Sequence, residues 1–279
     1  MNSSQICPVT RSERLLLATD GSAFSDGAIG EAIAFAKKCS SKLYAIFVLE
    51  SNPEYETIGM DVSDKEEAEA KRNLDSIEAK ALEEGVNCET IFHRDVEAYR
   101  SIISEAAERQ IDMIIIGRHG RKGLAKLLMG EDAARVIGNA PCKVLVVPKA
   151  AKVEYKNILI ATDGSKHGEA AALEAIDIAK RCASAVLAIS VSPSENELQE
   201  AKTNVARVVE MAQKEGISIE ALTLTGKPYD AIVETAGGRG TDLIVMGTYG
   251  KTGLKKLLMG SATEKVIGLA GCAVLVVKA

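Results

Sequence analysis

The chain has 279 residues, a formal net charge of −5, 47% hydrophobic residues, 4% aromatic residues and no tryptophan. That length suits two domains of common size, each able to bury its own core. The acidic balance and the shortage of rings exclude nucleic acid as an expected partner, and no apolar run approaches the length of a membrane span.

Residues 1–12 are polar and read as loose. The first five, Met1-Asn2-Ser3-Ser4-Gln5, lack the charged and apolar regions of a secretory signal, so a cytoplasmic protein is expected. Residues 14–19 make an apolar strand that runs into Asp20-Gly21-Ser22. Apolar residues at helical spacing (Ala28, Ala32, Phe35, Ala36) predict a helix over 25–39, with Ser25-Asp26 as its cap. A strand over 42–49 and a charged helix over 64–84 follow, the helix ending at Gly85. Between Glu50 and Leu74, Asn52-Pro53-Glu54-Tyr55 and Ile58-Gly59-Met60 read as a loop. A strand over 87–93, a helix over 97–109, a strand over 113–116, a helix over 132–138 and a strand over 143–147 complete the first half.

Residues 148–154 read as a linker with no core residues of its own. The same order then returns, with strands over 157–162, 185–191, 217–224, 242–246 and 273–277. Helices over 168–182, 195–215, 228–237 and 261–269 separate them. Aligned without gaps, residues 117–147 and 247–277 are identical at 18 of 31 positions, so the chain is a tandem repeat. The period is too long for a solenoid, and each copy is a domain: 1–148 and 154–279. Asp20 and Asp163 lie 143 residues apart, and Gly117 and Gly247 lie 130 apart. The first copy therefore carries 13 extra residues, which fall between Glu50 and Leu74.

Strands alternating with helices predict an α/β fold of two tandem doubly wound parallel-sheet, Rossmann-like domains. Ligands in such sheets sit beyond the carboxyl ends of strands, where the strand order reverses. That rule gathers Asp163, Val191 and Gly247 around one crevice. The apolar last strands of the two halves would be open sheet edges unless they paired, so an intrachain pseudo-dimer is expected. Of six cysteines, Cys39 matches Cys182 and Cys142 matches Cys272, while Cys7 and Cys88 are unmatched. None forms a Cys-x-x-Cys pair, and all read as small buried hydrophobes.

The most informative stretch is Gly247-Thr248-Tyr249-Gly250, followed after nine intervening residues by Gly260-Ser261-Ala262-Thr263. It joins a buried strand to a helix. Glycines let main-chain N–H groups converge on an anion, and a helix start adds unpaired donors and partial positive charge. It is neither a Walker A box nor a dinucleotide fingerprint. The plainer reading is a tight turn with Ser261 capping a helix.

Together these residues resemble the universal stress protein family, along nearly the whole of both halves. Nucleotide-binding members of that family carry Gly-x-x-Gly, nine residues, then Gly-Ser/Thr, a pattern matched by Gly247, Gly250, Gly260 and Ser261. An Asp closing the first strand is matched by Asp20 and Asp163. The resemblance implies ATP, carried with Mg, in the crevice of the second half. Asp163, beside Thr162, would meet the ribose or a nearby backbone group. The main chain at Val191 would read the adenine edge, with Ala161 and Met246 lining the base pocket. The amides of Gly247, Gly250, Gly260, Ser261 and Ala262, and the hydroxyls of Ser261 and Thr263, would hold the phosphates, with Lys251 adding a charge.

The first half keeps Gly117, Gly120 and Gly130 but has Glu131-Asp132 in place of Ser261-Ala262. One carboxylate ~4 Å from a phosphate charge, at an effective dielectric of ~20, costs about 4 kcal/mol before screening. That is roughly a thousandfold in affinity. Arg118, His119, Arg121 and Lys122 are the basic residues placed to compensate. The expectation is a stress-response regulatory protein with one competent ATP site per chain, non-catalytic or slow to hydrolyse, acting on an unknown protein partner. A homodimer of the whole chain is left open. An ATP-hydrolysing or nucleotidyl-transferring enzyme is the alternative, against which stands the want of a nucleophile or general base near the glycines. A nucleotide-independent chaperone-like module is the third reading. His93, His119 and His167 show no triad-like or metal-ligand spacing.

Overall fold

The computed structural model describes residues 6–10, 12–50, 60–118, 129–250 and 259–279. In the first half β1 (Arg14–Thr19), α1 (Asp26–Cys39), β2 (Lys42–Glu50), α2 (Met60–Glu83) and β3 (Cys88–Asp95) come first. They are followed by α3 (Ala98–Glu108), β4 (Met113–Gly117), α4 (Glu131–Asn139) and β5 (Lys143–Val147). The second half repeats them as β6 (Asn157–Ala161), α5 (Lys166–Cys182), β7 (Ala185–Ser192), α6 (Leu198–Lys214) and β8 (Glu220–Thr225). Then come α7 (Pro228–Gly238), β9 (Leu243–Gly247), α8 (Ser261–Leu269) and β10 (Ala273–Val277). The strands are short and branched because helices cover both sheet faces, which leaves no face for polar alternation. β4 is Met-Ile-Ile-Ile-Gly and β9 Leu-Ile-Val-Met-Gly, buried at all but the last residue.

All ten strands form one sheet in the order β3-β2-β1-β4-β5-β10-β9-β6-β7-β8. Every pairing within a half is parallel, and β5 meets β10 antiparallel with Leu145 opposite Leu275. Those two leucines are equivalent in the repeat, so a pseudo-twofold axis passes beside them. The expected pseudo-dimer is present, and it converts two open edges into one ladder. In each half the order reverses between the first and fourth strands, β1/β4 and β6/β9.

The halves are held together by more than the ladder. Arg118 donates from its guanidinium to Ala270 O at 2.7 Å, the end of α8. Lys278 donates from Nζ to Gly138 O and Ala140 O, both at 2.8 Å, the end of α4. Each cation satisfies carbonyls that a helix end leaves open and meets the negative end of its dipole. Lys143 pairs with Glu174 at 2.5 Å. Tyr155, in the approach to β6, buries its ring edge-on to Phe35 and donates its hydroxyl to Glu31 at 2.7 Å.

Four expectations need correcting. Residues 1–12 are not loose throughout: Val9 is buried, and Thr10 bonds Asp177 and Arg181 of α5. Cys7 and Cys39 are not packing thiols, because a disulfide joins them. The linker contributes to the core through Val153, 5% exposed. Met60, read as loop, starts α2, whose Ala70, Leu74, Ile77 and Ala81 recur at helical spacing on the buried face. The other loop residues of that insertion, 52–55 and 58–59, lie outside the described residues, as do 1–5. Element ends shift elsewhere: α5 begins two residues earlier than expected, and residues 195–197 form a single 3-10 turn before α6. Cys88, Cys142, Cys182 and Cys272 do remain free thiols. They are partly rather than fully buried, and burial pushes Cys142 up to about 12 and Cys88 and Cys272 to about 11, which favours the thiol form.

Candidate nucleotide pocket

A cavity of about 510 Å³ opens at the carboxyl ends of β6, β7 and β9, within the size range of small-molecule sites. Its lining includes every described second-half residue that the resemblance assigns to the nucleotide, though not Thr248 or His167. Ala161, Thr162 and Asp163 come from the end of β6, Val191 from β7, and Met246, Gly247 and Gly250 from β9 and the turn after it. Gly260, Ser261, Ala262 and Thr263 come from the start of α8. Lys251 lies outside the described residues.

The end of β6 is a stitched turn. Thr162 Oγ1 accepts the Gly164 N–H at 3.1 Å, and Gly164 takes a φ of 74°, the left-handed region that glycine favours. Asp163 Oδ1 accepts the Ser165 N–H at 3.0 Å. Ser165 caps α5 by accepting from Gly168 N at 3.1 Å, and its hydroxyl donates to Tyr249 O at 3.3 Å. Asp163 therefore serves the turn and lines the cavity at once.

Gly247 and Gly250 are required here for space rather than for unusual dihedrals, whereas a Cβ on Gly260 would meet only ordinary contacts, Thr248 O at 3.4 Å being nearest. A Cβ on Gly247 would lie 2.7 Å from the His167 carbonyl carbon and 2.9 Å from Gly168 N, because α5 starts against the end of β9. A Cβ on Gly250 would lie 2.6 Å from Asp163 Oδ2. Neither glycine, nor Gly260 at φ −67°, has a positive φ. Gly260 N donates to Thr248 O at 2.9 Å and closes the base of the loop. Gly260 rather than Ser261 is the cap of α8, and Ser261 is its exposed first residue. The amides of Ser261, Ala262 and Thr263 fall in the first turn, where no intrahelical acceptor exists. The Thr263 hydroxyl is spent inside the protein: it donates to Gly247 O at 3.0 Å, and the residue is 3% exposed. Its part in the cradle is therefore limited to its amide.

At the other end, Val191 presents main chain to the cavity for a reason that can be counted out. In a parallel strand, successive residues turn their N–H and C=O to alternate neighbours. Ile189 O accepts Thr162 N, on the β6 side, and Ser192 O accepts Gly226 N, on the β8 side. Val191 therefore faces the β6 side, but β6 ends at Ala161, opposite Ile189. Its N–H and C=O point past the end of β6 into the crevice, with Ala161 and Met246 as apolar neighbours.

Several lining residues went unread in the sequence. Lys227, Pro228 and Tyr229 bring the start of α7 to the cavity, and Lys265 Nζ stands 4.3 Å from the centre of the Tyr229 ring. The signal was present, since Pro at the first helical position marks a helix start just beyond a strand. Glu197, Glu200 and Asn204 line the cavity from α6 and the turn before it.

The first half is built differently at the equivalent place. Asp20 Oδ1 accepts from Ser22 N at 3.0 Å, Ser22 Oγ at 2.8 Å and Ser25 Oγ at 3.0 Å. Ser25 occupies the position of Gly168, where any Cβ would lie 3.2 Å from the Asp163 oxygen. Helix α1 starts only at Asp26, later in the repeat than α5 does. Glu131 opens α4 and pairs with Arg135 at 2.5 Å, and Arg135 also holds Glu97 at 3.0 Å. Arg118, one of the basic residues named above, donates to the carbonyl at the end of α8. His119, Gly120, Arg121 and Lys122 lie outside the described residues.

Comparison with known proteins agrees with this layout. The sequence model of the universal stress protein family matches residues 12–148 and again residues 154–278. A universal stress protein of Methanocaldococcus jannaschii is 44% identical over 140 residues, covering 44% of this chain and 82% of that protein. One from Synechocystis is 25% identical over 279 residues, covering 91% of this chain and 96% of its own length. The crystal structure of a universal stress protein from Archaeoglobus fulgidus superposes with a TM-score of 0.77 at 24% identity, covering 96% of this chain and 99% of the other.

Proposed function

Because the chain belongs to the universal stress protein family, with two family domains in one polypeptide, we propose that it is a regulatory protein that binds ATP in its second half. The observation that carries this reading is the pairing of two kinds of donor at opposite ends of one cavity. The open main chain of Val191 fits the edge of a base, and the first-turn amides of α8 fit phosphates. Asp163 stands between them at the end of β6, in reach of a ribose hydroxyl. Magnesium accompanying ATP neutralises phosphate charge and takes most of its ligands from phosphate oxygens and water, so it requires no carboxylate cage.

The first half is proposed to hold no ATP, because Asp20 is engaged by two serines and two acidic residues open α4. The cradle offers hydrogen-bond donors and, among the described residues, no activated nucleophile, so turnover is expected to be absent or slow, and occupancy to be read by a protein partner. Mass spectrometry of ligand released from protein purified without added nucleotide tests the reading directly. An adenine nucleotide at about one per chain supports it. Protein that emerges empty and gives no heat with ATP in calorimetry overturns it.

A further inference from the structure

Helix α6 covers the sheet face opposite α8, and its buried stripe is apolar at Ala201, Val205, Val208 and Ala212. Asn204 interrupts that stripe. It is 7% exposed and lines the cavity. A buried amide in an apolar stripe is costly unless its polar atoms are satisfied. Here the protein satisfies them only in part, and the remainder opens to the cavity rather than being sealed in the core. Nδ2 donates to Ser190 Oγ at 3.4 Å, long for such a bond, while Oδ1 and the second N–H of Nδ2 have no protein partner among the described residues. One acceptor and one donor, side by side in a plane, are left for whatever enters the cavity. Ser190 immediately precedes Val191, so this amide stands at the end of the cavity where the main chain is open.

A planar group that meets both needs must offer a donor beside an acceptor. The 6-amino group and N7 of adenine form that pair, whereas guanine presents two acceptors, O6 and N7, on the same edge. Resting on the ATP reading above, we infer that Asn204 reads the N6/N7 edge of adenine and so adds to the selection against guanine, accepting from the 6-amino group and donating to N7. The Val191 main chain then takes the N1 side of the same base, and the two contacts share the two hydrogens of the amino group. Guanine in that pose sets O6 against Asn204 Oδ1, acceptor against acceptor.

The test uses the whole protein and calorimetry with ATP, GTP and 7-deaza-ATP, which lacks the N7 acceptor. Wild-type protein should prefer ATP to GTP by tenfold or more and should bind 7-deaza-ATP about tenfold more weakly than ATP. Asn204→Leu should lose the 7-deaza preference, its affinities for ATP and 7-deaza-ATP becoming equal, while the part of the ATP-over-GTP preference that the Val191 main chain supplies remains. Asn204→Asp, which keeps the shape and the acceptor but has no N–H, should also lose the 7-deaza preference. It serves as the second measurement if the leucine variant folds poorly. A variant that weakens ATP and 7-deaza-ATP by the same factor would show that Asn204 only supports the wall, and overturns the inference. So would variants that change the preference for 2′-deoxy-ATP instead, which would put Asn204 at the sugar. Wild-type protein that binds none of these nucleotides overturns the ATP reading itself, a separate outcome.

Discussion

Replacing Glu31 with Gln should flatten the pH dependence of stability between pH 5 and pH 8. Glu31 accepts the Tyr155 hydroxyl at 2.7 Å where α1 of the first half meets the approach to β6. Burial raises its pKa from 4.5 to about 7, against the lowering effects of the Tyr155 hydrogen bond and of Lys38, while Asp242 adds to the rise. The folded state therefore holds a proton that the unfolded chain releases near pH 4.5. The stabilisation is full below that pH and is lost as pH rises through about 7. Integrating the linkage between pH 5 and 8 gives a loss of about 2.5 kcal/mol. Glutamine has no proton to lose at this position. The difference in unfolding free energy between variant and wild type, from urea melts with unchanged slope, should therefore grow by about that amount across the window. Parallel stability curves would refute the reasoning, and would mean that Glu31 is solvated well enough to ionise normally.

Gly250→Ala should lower ATP affinity by about tenfold or more while the circular dichroism stays unchanged, because the new Cβ displaces the Asp163 carboxylate. Wild-type affinity in that variant would remove Asp163 from the site. In the first half, Glu131→Ser with Asp132→Ala should leave stoichiometry near one ATP per chain, and adding Ser25→Gly should raise it towards two. The third change is needed because Ser25 holds the Asp20 carboxylate. A second site in the double variant would show that Ser25 is no obstacle. Finally, Cys7→Ser should cost roughly 3–4 kcal/mol relative to the oxidised protein, as expected for opening a loop of 32 residues. Equal melting of the variant and the oxidised wild type refutes that.

The parts of this molecule that were legible in its sequence are those fixed by local pattern. Runs such as Met113-Ile114-Ile115-Ile116 have one use in a small α/β domain, and the copy-to-copy match made each half a check on the other. Interactions that close over long distances left no such trace. Cys7 lies outside the repeat, so nothing paired it with Cys39. Val153 read as linker though it is buried, and the burial of Tyr155 just beyond it rests on Phe35 and Glu31 of α1 in the other half. Gly247 and Gly250 stand out by their spacing, but the crowding that requires glycine at each was not legible, since their neighbours His167 and Asp163 are close only in the fold. Ser25 against Gly168 was visible by alignment, and its meaning was not, since it depends on where the Asp20 carboxylate turns.

The junction of Leu145 with Leu275 also sets how this pair of domains behaves on dilution. Two separate subunits joined through such strands come apart as their concentration falls, and can trade partners with close relatives. Here the two strands belong to one polypeptide, so their pairing has no concentration term. Each molecule carries both halves at every expression level, and no exchange between subunits can change that composition. A change confined to one copy, such as the acidic pair at Glu131 and Asp132, is then inherited as a fixed asymmetry. A homodimer of single domains would have to impose the same change on both of its halves.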